Sequence, residues 1–365
     1  MTAEEKRREQ ERLKAQKKEK RAKEKRIKTK ILIILSSIVA VLAVLLILVL
    51  VILLRTRIQA DNNQISAEAV ASFSMEYAGE KTVFEPLPEV TEVVEEEVEE
   101  KEIPVIDLSG IISTNAYMAR LEDGALVAEK GGSDRIYPAS MAKMLTAIVA
   151  IENTDAENDT YTFDGSEFDM AYLEGATTAG FSAGETVVIK DILYGALLPS
   201  GADACYALAN RVAGSESAFV DMMNAKAADI GMENSHFVNC TGLQNEEQYS
   251  TCEDIAKLLR YALMNDIFRS VYTTHVYTTN PTDKHQKGIV LSSTTFTYLT
   301  SSTLENDTVI EGGKTGFTDE AGRCLASLAI TKGQTEYILV TAGAISAEST
   351  TPQIADAVAV YSQLP

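Results

Sequence analysis

A long apolar run, broken only by Ser36 and Ser37, dominates the hydrophobic pattern of this chain. It extends from residue 31 to residue 54 and contains 24 residues without a charge. A helix rises about 1.5 Å per residue, so a run of this length spans a hydrocarbon core of about 30 Å. The pattern therefore predicts a transmembrane helix over residues 31–54. The alternative is a cleaved signal peptide, whose apolar region is usually about 7–15 residues long and ends in a small-residue cleavage site.

The charge differs on the two sides of this run. Residues 1–30 contain 14 Lys and Arg and six Glu, whereas Arg55 and Arg57 are the basic residues that directly follow the run. An excess of positive charge beside a transmembrane helix marks its cytoplasmic side. We therefore expect a basic cytoplasmic segment over residues 1–30 and a lipid bilayer around residues 31–54. The rest of a single-pass cell-membrane protein would then be extracytoplasmic.

Residues 55–104 are polar at first and acidic towards their end. Nine Glu and two Pro lie between Glu85 and Glu102. Such a composition repels itself and has too few apolar side chains for a core, which predicts an acidic disordered linker. The net charge of the 365-residue chain is −20, which argues against a nucleic-acid partner.

The remaining residues, 105–365, have the composition of one globular domain. Alternating apolar positions on both sides of a turn at residues 122–124 predict two strands. Helical spacing predicts a helix that begins near Pro138 and two further helices joined at residues 199–201. The pattern near the end of the chain predicts a last helix that packs on a sheet. Strands and helices together indicate the α/β or α+β class.

Common cofactor and zinc motifs are missing from the sequence. It contains three histidines but no H-E-x-x-H pair, no C-x-x-C, no G-x-G-x-x-G and no Walker A loop, so we expect no metal and no cofactor. His236 lies among turn-forming Asn residues and is predicted to be a structural loop residue. The four cysteines are compatible with buried free thiols or with disulfides, and the sequence does not pair them.

Ser140 and Lys143 form the first candidate catalytic pair. They lie three positions apart in the helix predicted near Pro138, so their side chains share one face. A serine hydroxyl becomes nucleophilic when a neighbour removes its proton. A lysine amine can do so once burial or another cation lowers its pKa from about 10.4. The S-x-x-K pattern is short, and an ordinary surface pair is the alternative.

Two more short motifs follow. Ser200 stands at the junction of two predicted helices, where a turn can present its hydroxyl at a cleft, although such a serine more often caps a helix. Lys314-Thr315-Gly316 precedes an apolar strand, and glycine beside the lysine lets a ligand approach the backbone closely. A solvated lysine in a turn is the alternative for this motif.

The order of the three motifs resembles the S-x-x-K, S-x-N and K-T-G arrangement of penicillin-recognising serine enzymes. The surrounding sequences YPASMAKMLTA, ILYGALLPSGADA, NSHFVNCTGL and GGKTGFTDEAG resemble those of the low-molecular-mass D-alanyl-D-alanine carboxypeptidases, over residues 106–345. The resemblance implies a penicillin-binding or β-lactamase-like transpeptidase fold, in which helices cover an antiparallel sheet and an all-helical subdomain is attached. Residues 105–365 would then be an extracytoplasmic serine DD-peptidase domain.

The implied function is removal of the terminal D-Ala from peptidoglycan stem peptides through an acyl-enzyme, with β-lactams as covalent inhibitors. The implied catalytic residues are Ser140 as the nucleophile, Lys143 as the general base and Ser200 as the proton relay. The implied substrate-binding residues are Lys314, Thr315 and Gly316, of which Lys314 and Thr315 hold the terminal carboxylate. The implied oxyanion hole consists of the backbone N–H groups of Ser140 and Phe317.

Two departures from the family pattern stand out. Ala202 occupies the position of the usual Asn in S-x-N, so a side-chain amide that contacts substrate and lysine is missing. The family's distal carboxylate-binding Arg has no clear counterpart, which leaves that task to Lys314. The alternatives are therefore a catalytically weak or inactive module that binds penicillin or peptidoglycan, and a DD-transpeptidase or β-lactamase that differs in what attacks the acyl-enzyme.

Overall fold

The computed structural model describes residues 102–365. The predicted cytoplasmic segment, the predicted transmembrane helix and nearly all of the predicted linker lie outside the described residues. Within residues 102–365, no helix is both long enough and apolar enough to span a bilayer.

The sheet at the centre of the fold has five strands, and two short ribbons lie apart from it. The strands are β1 (Asn115–Arg120), β2 (Leu126–Lys130), β3 (Thr160–Thr162), β4 (Thr186–Val188), β5 (Val276–Thr278), β6 (Val290–Ser292), β7 (Val309–Thr318), β8 (Gly322–Ile330) and β9 (Glu336–Ala344). The five-stranded sheet has the order β2-β1-β9-β8-β7, and every neighbouring pair is antiparallel. The predicted antiparallel sheet is confirmed, and so are the two strands around residues 122–124.

Helices surround this sheet. They are α1 (Lys143–Glu152), α2 (Ser166–Leu173), α3 (Ile189–Leu197), α4 (Ala202–Ala213), α5 (Glu216–Ile230), α6 (Cys252–Leu263), α7 (Asp266–Tyr272), α8 (Thr294–Tyr298) and α9 (Pro352–Tyr361). The helices predicted on both sides of residues 199–201 and at the end of the chain are confirmed. The helix predicted near Pro138 differs in its first turn, which is a 3-10 turn over Ala139–Ala142. Ser140 therefore lies on this turn, and Lys143 opens the α-helix.

Side chains of the central strands alternate between two hydrophobic cores. Ala326 and Ile338 point to the core that contains α1, whereas Leu325 and Leu339 point to the core that contains α9. This follows from the strand geometry, because successive side chains lie on opposite faces of a sheet. The sheet is therefore a middle layer, with α1 and α6 on one face and α9 on the other.

The helical part of the fold is not entirely helical, which corrects the predicted all-helical subdomain. The ribbons β3–β4 and β5–β6 border it. The second ribbon is tied to α3, because the ring of Tyr277 stacks on Tyr194 at 3.6 Å between centroids and its hydroxyl donates to Asp191 at 2.6 Å. Each of these strands has three residues, which is too short for an alternating pattern to distinguish it from a loop.

Two glycine-containing segments hold the turn that carries Ser140. Ala139 has a φ of 47°, in the left-handed region that non-glycine residues rarely adopt. A Cβ on Gly316 of β7 would lie 3.1 Å from the Ser140 amide nitrogen, and a Cβ on Gly242 would lie 1.9 Å from the Ala139 carbonyl oxygen. The absence of a side chain at both positions lets the backbone fix the place of Ser140 from two sides.

We predict that Gly242→Ala destabilises the fold by about 1–3 kcal/mol more than Gly214→Ala does. Both glycines have a positive φ, 81° and 73°, so both variants strain the backbone in the same way. Only Gly242 also faces a carbonyl oxygen, since nothing lies within 4 Å of the Cβ position of Gly214. Urea unfolding of the two variants measures the difference. Equal losses of stability would show that Gly242 does not pack closely against the Ala139 carbonyl oxygen.

Candidate active site

Ser140 and Lys143 meet at the start of α1. Lys143 Nζ lies 2.9 Å from Ser140 Oγ and donates a hydrogen bond to the Thr241 carbonyl oxygen at 2.6 Å. The amine is buried, and its residue is 3% exposed. Burial lowers the pKa of Lys143 below its ordinary value, and the negative groups around it, Asp203 among them, oppose this shift only in part. The site thus holds a hydroxyl beside an amine that releases its proton more readily than a solvated lysine.

The Thr241 carbonyl that accepts from Lys143 belongs to the segment NSHFVNCTGL, for which the sequence analysis predicted no catalytic or binding residue. Asn239 organises this loop, because its Oδ1 accepts from the Gly242 amide at 2.8 Å and its Nδ2 donates to the Leu243 carbonyl at 3.0 Å. Both contacts hold the Thr241 carbonyl towards the amine. The turn-forming Asn239, three residues before Gly242, was the available signal, but the partner of the carbonyl is 98 residues away in the chain.

Ser200 and Lys314 form a second serine–lysine pair. Ser200 lies between α3 and α4 with a φ of 69°, a strained conformation that is typical of functional sites. Lys314 Nζ donates to Ser200 Oγ at 3.0 Å and to the Thr315 carbonyl at 2.8 Å. Burial, followed by the charge of Lys143, holds the pKa of Lys314 well below its ordinary value. Two buried amines therefore serve two serine hydroxyls.

A cleft of about 490 Å³ opens over these groups. The predicted site residues that line it are Ser140, Lys143, Ser200, Thr315, Gly316 and Phe317. Lys314 is fully buried and does not line the cleft itself. Its amine donates a hydrogen bond to Ser200, which does. Thr294, at the start of α8, adds a hydroxyl 2.7 Å from that of Thr315. Thr294 was not predicted from the sequence, because no motif surrounds it.

Ala202 is the first residue of α4 and is fully buried. Its amide donates to the Thr177 carbonyl at 2.7 Å, and the carboxylate of Asp203 accepts from the Ala179 amide at 2.7 Å. The methyl group offers no hydrogen bond where the family motif has an amide. Thr241 supplies the second polar contact of Lys143 instead.

Other polar candidates lie outside the cleft. His236 exchanges backbone hydrogen bonds with Tyr249, and its Nδ1 lies 2.8 Å from the Glu247 carbonyl oxygen, as expected of a structural loop residue. All four cysteines are buried free thiols. Burial raises the pKa of Cys205 to about 12, so this thiol remains protonated beside the site.

Comparisons with known proteins agree with this geometry. The model of the D-alanyl-D-alanine carboxypeptidase family matches residues 106–346. Carboxypeptidase DacF of Bacillus subtilis is 30% identical over 244 residues, which are 66% of this chain and 59% of that protein. DacA of Escherichia coli is 30% identical over 249 residues, 66% of this chain and 57% of that protein. The chain thus spans less than two thirds of the length of these two relatives.

Shorter relatives are covered more fully. A D-alanyl-D-alanine carboxypeptidase of Streptomyces is 30% identical over 232 residues, 62% of this chain and 79% of that protein. The crystal structure of a Streptomyces DD-transpeptidase is similar with a TM-score of 0.60 and 27% identity, and the match covers 69% of this chain and 97% of that one. The match of the family model, together with the fold and the placement of the three motifs, shows that the chain belongs to the D-alanyl-D-alanine carboxypeptidase family of serine peptidases.

Proposed function

We propose that this chain is a serine-type D-Ala-D-Ala carboxypeptidase that removes the terminal D-Ala from peptidoglycan stem peptides. The observation that carries the proposal is the 2.9 Å contact between Ser140 Oγ and the buried Lys143 amine. Membership of the family supports the reaction class, and the cleft leaves room for a peptide end above the pair.

Acylation begins with the Lys143 amine neutral. The Ser140 hydroxyl then donates to Nζ, while Nζ donates to the Thr241 carbonyl. Ser140 Oγ attacks the carbonyl carbon of the penultimate D-Ala, and its proton passes to Nζ. The Thr241 carbonyl stabilises the ammonium that forms, because a hydrogen bond offsets part of the cost of a buried charge.

The oxyanion of the tetrahedral intermediate lies between the backbone N–H groups of Ser140 and Phe317. Phe317 directly follows Gly316, the residue whose Cβ position lies 3.1 Å from the Ser140 nitrogen. This close approach supports the assignment of both N–H groups to one oxyanion site. Loss of one such donor typically costs about 3 kcal/mol of transition-state stabilisation.

The second pair handles the leaving D-Ala. Ser200 relays the proton of Lys143 to the departing amine, and Lys314 supports the relay through its 3.0 Å hydrogen bond to Ser200. Thr315 and Gly316 bind the terminal carboxylate along β7. The bound carboxylate favours the charged form of Lys314, because an opposite charge raises the pKa of a buried amine. Water then hydrolyses the acyl-enzyme, and β-lactams acylate Ser140 in the same way.

A second candidate function is transpeptidation, in which an amine rather than water attacks the acyl-enzyme. The structural likeness to a DD-transpeptidase favours it. The substitution of Asn by Ala202 weakens either reaction, since loss of one polar contact typically costs about 1–3 kcal/mol. Products formed with free glycine present separate the two reactions, because only transpeptidation links glycine to the peptide.

We also infer that residues 31–54 anchor the chain in the cell membrane with the catalytic domain outside. The 24 uncharged residues and the 14 basic residues before them support this topology. An extracytoplasmic domain is also where peptidoglycan stem peptides are accessible.

We predict that Ser140→Ala abolishes the covalent adduct with benzylpenicillin, because among the described residues Ser140 supplies the hydroxyl that is hydrogen-bonded to the Lys143 amine. Intact-mass spectrometry over time measures the adduct. The matched control is Ser217→Ala, which removes an exposed hydroxyl from α5 and leaves acylation intact. An adduct that survives on Ser140→Ala would refute Ser140 as the nucleophile. No adduct on the unmodified protein would favour the inactive binding module.

The topology is tested by cysteine labelling in intact cells. All four cysteines of the described residues are buried, so the background from that part is low. We predict that a membrane-impermeant maleimide labels Ser109→Cys, at an exposed position, and leaves Ala22→Cys unlabelled until the membrane is permeabilised. Labelling of Ala22→Cys in intact cells would contradict the proposed orientation.

A further inference from the structure

The cleft is lined by cations and by no acidic side chain of residues 102–365. Its two cationic lining residues are Lys143 and Arg323, in a chain whose net charge is −20. Exclusion of carboxylates from one cleft of an acidic protein favours an anionic ligand there. Lys143 is the general base of the proposed mechanism, whereas no step of that mechanism uses Arg323.

Arg323 is held in place by Phe317. The two residues face each other across the β7–β8 pair, and the guanidinium carbon lies 4.7 Å above the ring centroid. In the described part of the structure, no carboxylate lies within ion-pair distance of this guanidinium, which is half-buried. Stacking on the ring occupies the flat face of the guanidinium and leaves its N–H edge free for a planar anion.

The direction of the substrate places Arg323 on the acyl side of the scissile bond. In the proposed function the terminal carboxylate lies beside Thr315, and the reacting carbonyl lies between Ser140 and Phe317. Thr315 and Phe317 are two residues apart on β7, about 7 Å at 3.4 Å per residue. One D-Ala residue covers about half of this distance. A peptide that continues in the same direction reaches the level of Phe317, and Arg323 is the cross-strand partner of Phe317.

We propose that Arg323 binds a carboxylate carried by the substrate on the N-terminal side of the D-Ala pair. This inference rests on the proposed function, and it makes Arg323 a specificity-determining residue. The carboxylate belongs either to the residue directly before the D-Ala pair or to the residue before that one. Its role differs from binding the terminal carboxylate, which lies at the opposite side of the reacting carbonyl.

Three matched peptides distinguish the two sources: N-acetyl-Gln-Gln-D-Ala-D-Ala, N-acetyl-Gln-Glu-D-Ala-D-Ala and N-acetyl-Glu-Gln-D-Ala-D-Ala. Each acidic peptide differs from the neutral peptide by one carboxylate at one position. We expect one acidic peptide to exceed the neutral peptide about tenfold in kcat/KM for D-Ala release, mainly through KM, since a charge-assisted hydrogen bond has this size. Arg323→Gln is expected to remove this preference.

The matched control is Arg135→Gln. Arg135 also stacks on an aromatic ring, that of Tyr249 at 4.0 Å, but does not line the cleft. This variant loses the same charge and is expected to retain the preference for the acidic peptide. Acylation of each variant by benzylpenicillin reports whether Ser140 remains competent.

Peptide affinity separates this inference from the proposed function. In the Ser140→Ala background, calorimetry is expected to show that Arg323→Gln weakens binding of the preferred acidic peptide about tenfold relative to the neutral one. Equal affinities for all three peptides, or a preference that survives Arg323→Gln, would overturn the assignment of Arg323. Failure of the unmodified protein to release D-Ala would overturn the proposed function, whereas the affinities would still decide the role of Arg323.

Discussion

The burial of two lysine amines beside one cleft is the constraint on which the rest of the structure depends. Lys143 is 3% exposed and Lys314 is fully buried, and the charge of the first lowers the pKa of the second. Two ammonium groups in a medium of low dielectric repel each other and lose hydration. Each amine therefore has a carbonyl and a hydroxyl partner, and burial lowers the pKa of both amines. A neutral amine beside Ser140 is what a general base requires.

The fold supplies this burial through rigid neighbours. Residues 143–151 of α1 are all buried, and the helix packs between the sheet and the other helices. Gly242 and Gly316 let two backbone segments approach the Ser140 turn, so the nucleophile is placed by main chain rather than by mobile side chains. The same approach brings Phe317, and Arg323 across from it, to the edge of the cleft. Nucleophile, oxyanion site and the proposed carboxylate subsite thus share one rigid support.

The sequence predicted the parts of this site that lie within short motifs. Ser140 and Lys143 lie together in the structure, as their spacing predicted. The 3-10 turn that carries Ser140 was not predicted, because a hydrophobic pattern does not reveal the left-handed conformation of Ala139. The contact of the Thr241 carbonyl with Lys143 could not be predicted, since the turn-forming Asn239 indicates a turn but not a partner 98 residues away in the chain. Short ribbons were missed for a related reason: three-residue strands are stabilised by tertiary contacts, such as the stacking of Tyr277, rather than by their own periodicity.

NMR of the protein with ¹³C-labelled lysine ε-carbons measures whether the pKa of the Lys143 amine lies below that of an ordinary lysine. The Lys143 signal is assigned by its loss in Lys143→Met, and the exposed Lys332, whose pKa its ion pair with Asp307 raises, serves as the internal reference. We expect that the Lys143 signal titrates below pH 10.5 and that the acylation rate of Ser140 rises with pH over the same range. Titration of Lys143 at or above pH 10.5, with acylation already complete at neutral pH, would contradict it.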